Sequence, residues 1–105
     1  MIGKLLSGVA LAALIASATT ASAATVNVTI KGFKFSPATI TAHVGDTIQW
    51  TNEDPMNHSS TGTNHEWDVT IAPGKTGSVV VHAVGSVAYF CRFHPNMKGT
   101  VTVAK

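Results

Sequence analysis

The sequence predicts an all-β domain, a Greek-key β-sandwich of about seven to eight short strands. Beyond residue 23 the chain is dense in Val, Thr and Ile set in short alternating runs. Turn-forming Gly, Pro, Asn and Asp interrupt those runs about every 8–12 residues. No apolar pattern of helical period, internal repeat or low-complexity stretch interrupts this part of the chain.

The first 23 of the 105 residues are set apart from that domain. Lys4 supplies a positive start, Leu5 to Ile15 an apolar middle, and Ala21-Ser22-Ala23 a small-residue cleavage motif. The apolar run is alanine-rich and short of the roughly 20 residues a membrane span needs. Residues 1–23 are therefore expected to be a secretory signal peptide and residues 24–105 a single domain. Retention as an anchor is the less favoured alternative. The expected location is periplasmic or secreted, with no membrane insertion after cleavage. No cysteine lies near the cleavage motif to take a lipid.

Removing 23 of 105 residues leaves 82, a size at which one hydrophobic core is marginal and a disulfide or metal often helps. The only cysteine is Cys91, so an internal disulfide is excluded. A lone cysteine in an exported chain implies an intermolecular bridge, a reactive thiol or a ligand. A bound metal answers both points. Without Lys4 the chain carries six Lys/Arg against five Asp/Glu, near neutrality with His uncharged. There is no basic patch interleaved with aromatics for nucleic acid, and no basic amphipathic helix for a membrane surface.

The strands follow in order. Thr25 to Ile30 alternates strictly, putting Val26, Val28 and Ile30 on one face. Phe33 and Phe35 continue the period up to a Ser36-Pro37 turn. Thr39 to Val44 is a second strand, with Gly45-Asp46 expected to close a hairpin onto Thr47–Thr51, where Ile48 and Trp50 face inward. From Asn52 to Glu66 the pattern stops, and this polar stretch reads as a long functional loop. Strands resume at Trp67–Ile71, Thr76–His82, Ser86–Cys91 and Thr100–Ala104, broken by Pro73-Gly74 and Gly85.

The chemistry concentrates in Tyr89-Phe90-Cys91-Arg92-Phe93-His94-Pro95-Asn96-Met97-Lys98-Gly99. A thiolate, an imidazole and a thioether lie within one short turn, where Pro95 and Gly99 bend the chain enough to converge them. A Cys with two His and a weak axial Met is the donor set of electron-transfer copper sites, while soft sulfur ligands also suit zinc. His58, from the polar loop, is the expected second imidazole, with His65 the alternative. His43 and His82 lie in or beside strands as surface positions, and Met56 is expected to cover the site. The predicted metal residues are thus His58, Cys91, His94 and Met97.

The chain resembles the small blue copper proteins of the cupredoxin superfamily, closest to the plastocyanin and amicyanin group. The matching residues are Phe33 to Pro37, Val44 to Asn52, His58, and Tyr89 to Gly99, which together span essentially the whole domain. The Cys-x2-His-x2-Met spacing is similar to the short ligand loop of amicyanin. The resemblance implies one type 1 copper ion, with His58, Cys91 and His94 as strong ligands and Met97 as the axial one. One departure stands out: Ser59 occupies the position where the family often places an Asn that ties the two ligand loops together.

The resemblance further implies a monomeric electron carrier rather than an enzyme. Redox proteins are expected to dock transiently on an apolar patch around His94, with Phe93, Pro95, Met56 and Pro55 as patch residues. Lys98 and Arg92 favour partners bearing acidic groups. Phe90, Phe93 and Pro95 are expected to keep water off the metal. The alternative function is a periplasmic copper chaperone or storage protein, suggested by Met56, His58 and His65 in one loop.

Overall fold

The computed structural model describes residues 23–105, and the expected signal peptide lies almost wholly outside them. Among the described residues nine strands follow in order: β1 (Thr25–Ile30), β2 (Phe35–Ser36), β3 (Thr39–His43), β4 (Thr47–Asn52), β5 (His58–Gly62), β6 (Asp68–Ile71), β7 (Thr76–Val80), β8 (Gly85–Phe90) and β9 (Lys98–Ala104). They form two sheets, ordered β2-β1-β4-β7 and β3-β9-β8-β5-β6. The connections β2–β3, β3–β4, β4–β5, β6–β7 and β7–β8 each pass from one sheet to the other. The result is the expected β-sandwich.

Two expectations are corrected. Gly45-Asp46 does not close a hairpin: β3 lies parallel to β9 in one sheet and β4 parallel to β1 in the other. Gly45, at φ 97°, takes a left-handed turn. Asp46 Oδ2 accepts the His43 N–H at 2.8 Å, and Gly45 N donates to Val81 O at 2.8 Å. These bonds steer the chain across the sandwich instead of back along its own sheet. The Asn52–Glu66 stretch is also not all loop, because β5 runs through it between β6 and β8. Its five residues are polar or glycine, yet all are buried, so no apolar alternation marks it.

The core lies between the sheets. Ile48 and Trp50 on β4, Val28 and Ile30 on β1, and Val101 and Val103 on β9 point inward at every second position. Each full burial of such a side chain contributes roughly 1.5–3 kcal/mol. Trp50 is fully buried and packs on Trp67 with ring centroids 6.4 Å apart. Tyr89 meets Trp50 edge-on at 5.5 Å and Phe35 at 4.7 Å. Burial pushes the Tyr89 hydroxyl up to about 12, so it stays neutral.

Tyr89 pairs with Gly99 across β8 and β9, and its ring lies over the space that a side chain at 99 would need. Gly99→Ala is therefore expected to drive a methyl into the ring and lower stability by about 1–3 kcal/mol. Urea denaturation of the metal-free protein checks this, and an unchanged midpoint would contradict the packing described.

Candidate metal centre

β8 delivers Cys91 to one pole of the sandwich and β9 departs from Lys98, so residues 91–97 join two antiparallel neighbours. Two tight turns coil this connection. His94 N donates to Cys91 O at 3.2 Å, and Met97 N donates to His94 O at 2.9 Å. Cys91 N donates to Met97 O at 3.1 Å, which closes the loop. The three-residue spacing of Cys91, His94 and Met97 thus becomes a repeat of turns. Cys91 is fully buried, Met97 nearly so, and His94 half-buried.

His58 comes from the first residue of β5 and is 0% exposed. Its Nδ1 lies 3.7 Å from Cys91 Sγ, and His94 Nδ1 lies 3.9 Å from the same sulfur. All three donor atoms fall within 4.8 Å of one another. A triangle of that size suits an ion with bonds of about 2.0–2.3 Å to two imidazoles and a thiolate. Two nitrogens and a sulfur, with a thioether on the same turn, are the donors of an electron-transfer copper site. The structure thus brings together His58, Cys91 and His94, as the sequence predicts. His65 sits apart, exposed at φ 66° in the turn at the other end of β5. His43 and His82 are exposed and lie outside the cluster.

Asp54 carries no signal of its own in the sequence, yet it orients His58. Its Oδ2 lies 2.9 Å from His58 Nε2, in a pair buried on both sides. With an N–H on Nε2 donating to the carboxylate, Nδ1 keeps its lone pair and faces Cys91. Asp54 also accepts the N–H groups of Gly32 at 2.8 Å and Phe33 at 2.9 Å. These amides can converge because Gly32 and Phe33 take φ values of 62° and 60°. The Phe33 amide, then that of Gly32 and His58, hold Asp54 below the usual carboxylate range against the opposing effect of burial. Asn52, fully buried, donates to Met56 O and Ile71 O and accepts from Asp54 N, bracing the whole connection.

The same turn sets Phe33 over the cluster. Its ring stands edge-on to His58 at 5.5 Å and to His94 at 4.9 Å. Of Phe90, Phe93 and Pro95, expected to keep water off the metal, Phe90 is half-buried and the other two are exposed. Arg92 instead lies over the Phe93 ring, 5.1 Å from its centroid. Phe33, which the sequence marks only as a continuation of strand period, is the aromatic that packs against both imidazoles.

Ser59, standing where the family often places Asn, itself ties β5 to the Cys91 turn. Its N–H points at Cys91 Sγ at 3.3 Å, and its Oγ accepts Arg92 N–H at 2.8 Å. Thr61 Oγ1 donates to Asp68 Oδ1 at 2.9 Å, which leaves it to accept the Ser59 hydroxyl at 3.0 Å. Arg92 closes the ring through Nε to Asp68 at 2.8 Å and a guanidinium N–H to Thr70 Oγ1 at 2.7 Å. Arg92 above all, then Thr61, holds the Asp68 carboxyl below its usual range.

A carboxyl with a depressed folded-state pKa adds stability above its unfolded value, and loses it as the pH falls through the folded value. Asp54 and Asp68 both belong to this class. The metal-free protein is therefore expected to weaken on acidification below about pH 4. Arg92→Ala is expected to shrink that acid dependence. Urea midpoints between neutral pH and pH 3 check both, and an acid slope unchanged in the variant would contradict the Arg92–Asp68 link.

Comparison with known proteins agrees with this geometry. A family model described as a cupredoxin-like domain matches residues 4–103. A plastocyanin from Scenedesmus fuscus is 32% identical over 84 residues, covering 66% of this chain and 85% of the relative. Amicyanin-alpha from Methylorubrum extorquens is 34% identical over 89 residues, covering 79% and 75%. Among solved structures, a purple cupredoxin from Nitrosopumilus maritimus superimposes with a TM-score of 0.70 at 26% identity, covering 75% of this chain and 99% of the other. A reduced amicyanin variant gives 0.66 at 28% identity, covering 75% and 81%. With its sandwich, its His58–Cys91–His94 cluster and a family model spanning nearly its whole length, the chain belongs to the cupredoxin-like family and is built to bind copper.

Proposed function

We propose that this chain is an exported, monomeric type 1 copper protein that carries single electrons between redox partners. His58, Cys91 and His94 would hold the copper as strong ligands, and Met97, buried on the same turn as Cys91 and His94, would add a weak thioether. The observation that carries this reading is the buried two-imidazole, one-thiolate cluster, in a family with a plastocyanin and an amicyanin among its relatives. The Ala21-Ser22-Ala23 motif supports export.

Copper supplies one-electron chemistry by cycling between Cu(I) and Cu(II). The chain's own part is to hold one geometry for both states. Asp54 fixes the His58 ring, and the Ser59 N–H stabilises negative charge on Cys91 Sγ. The 91–97 turns fix His94 relative to Cys91, with Met97 buried beside them. Ligands braced in this way need little rearrangement when charge changes, which favours fast transfer. Phe33 shields the two imidazoles from water.

His94, half-buried, is the ligand nearest solvent and the proposed route for the electron. Phe33, Met56 and Phe93 are exposed large apolar side chains, and Pro55 and Pro95 are exposed beside them in sequence. They supply the proposed docking patch. Arg92 is engaged by Asp68, so Lys98, with the exposed Lys31 and Lys34 on the Phe33 turn, provides the charge that favours acidic partners. Encounters on such a patch are small and short-lived.

Adding one equivalent of Cu(II) is expected to give an intense visible thiolate-to-copper band that bleaches with ascorbate and returns on reoxidation. Cys91→Ser is expected to abolish it. A pale complex, or copper lost on reduction, would contradict the carrier and favour a chaperone or storage role. Asp54→Asn is expected to weaken copper binding about 10–100-fold. Competition titration with a chelator measures this, and unchanged affinity would contradict the role given to Asp54.

A further inference from the structure

At the pole opposite the metal cluster, Asp46 is 6% exposed and both carboxylate oxygens are held by backbone donors. Oδ1 accepts Ala24 N–H at 2.9 Å and Oδ2 accepts His43 N–H at 2.8 Å. The bond from Ala24, and then that from His43, keep this carboxyl below its usual range. Ala24 is also where the sandwich begins: its carbonyl accepts Thr47 N–H at 2.9 Å, and β1 starts at the next residue. Ala23 and Ala24 are both exposed. The Ala21-Ser22-Ala23 motif puts a cut at the bond between Ala23 and Ala24. Among the described residues, the titratable side chain recorded against Asp46 is His43, with Nδ1 3.8 Å from Oδ2 and 66% of the side chain exposed. Among the described residues, no Lys or Arg nitrogen lies within salt-bridge distance of the nearly buried Asp46.

Resting on the export reading above, with the leader cut between Ala23 and Ala24, we propose that Asp46 is the receptor for the α-ammonium group which that cut creates. A leader-removing protease hydrolyses the amide: water supplies the hydroxyl that leaves Ala23 with a carboxylate, and the Ala24 nitrogen takes up protons to become an ammonium. The nitrogen that donates to Asp46 as a neutral peptide N–H then donates as a cation. A neutral hydrogen bond becomes a charge-assisted one, about twice as strong. Maturation therefore tightens the seam where β1, β3 and β4 start or end, independently of copper.

The test uses the exported protein without metal. Its intact mass is expected to correspond to a chain beginning at Ala24. The mature chain is then made by chemical synthesis with the α-amine free or acetylated, since acetylation keeps the N–H donor and removes the charge. Acetylation is expected to lower the folding equilibrium constant roughly fivefold to tenfold. In Asp46→Asn the two forms are expected to agree within about twofold. An exported protein that begins elsewhere would overturn the proposal. So would equal stability of the free and acetylated chains, or a difference that survives in Asp46→Asn. Should that variant not fold, NMR titration of the Ala24 amine, with His43 followed alongside, decides the matter. A pKa above the ordinary range of about 7.7–8.0 supports the pairing and an ordinary value overturns it.

Discussion

The hydrogen bond between His58 Nε2 and Asp54 Oδ2, 2.9 Å long and closed off from water, joins the two halves of the candidate site. A buried imidazole without a partner on Nε2 would be free to take either tautomer or to turn about its ring bond. Asp54 removes both freedoms. The Gly32 and Phe33 amides in turn hold Asp54, so the turn that carries Phe33 and the strand that carries His58 share one carboxylate. A change at Phe33 or at Asp54 is therefore felt at His58, although the three residues belong to different segments.

A second set of bonds does the same for the sulfur. Ser59 follows His58 directly and contacts the Cys91 turn at two points, through its amide to Sγ and its hydroxyl to Arg92 N–H. Its reach is short, and the chain meets that by bringing β5 against β8, with Thr61 paired to Phe90. The polar residues of β5 can be buried because their side chains are hydrogen-bonded. Ser60 receives the Trp67 indole N–H, and Thr61 donates to Asp68. Hydrogen bonding here does the positioning that apolar packing does elsewhere in the sandwich.

Much of this was legible in the residues, and what was not shares a physical cause. Strands whose core faces are apolar, such as β1, β4 and β9, declared themselves by alternation. The candidate metal turn declared itself by a rare grouping of Cys91, His94 and Met97. β5 gave no such signal, since its five residues are all buried yet polar or glycine. The crossing at Gly45-Asp46 reads as a hairpin because a turn signal marks where a chain bends, not the sheet that receives it. Asp54 stands four residues before His58 in a polar stretch, and only the fold shows the pair to be buried. Phe33 fits a strand period, but its left-handed backbone turns the ring towards the ligands.

Through the Asp54–His58 bond the protein itself sets the geometry of the His58–Cys91–His94 cluster before any metal arrives. The most direct measurement is a 15N–1H correlation spectrum of the histidine rings in the metal-free protein at neutral pH. His58 is expected as the tautomer protonated on Nε2, with that proton protected from exchange and shifted by a hydrogen bond to a carboxylate. A His58 ring protonated on Nδ1, or one averaging between tautomers, would contradict it.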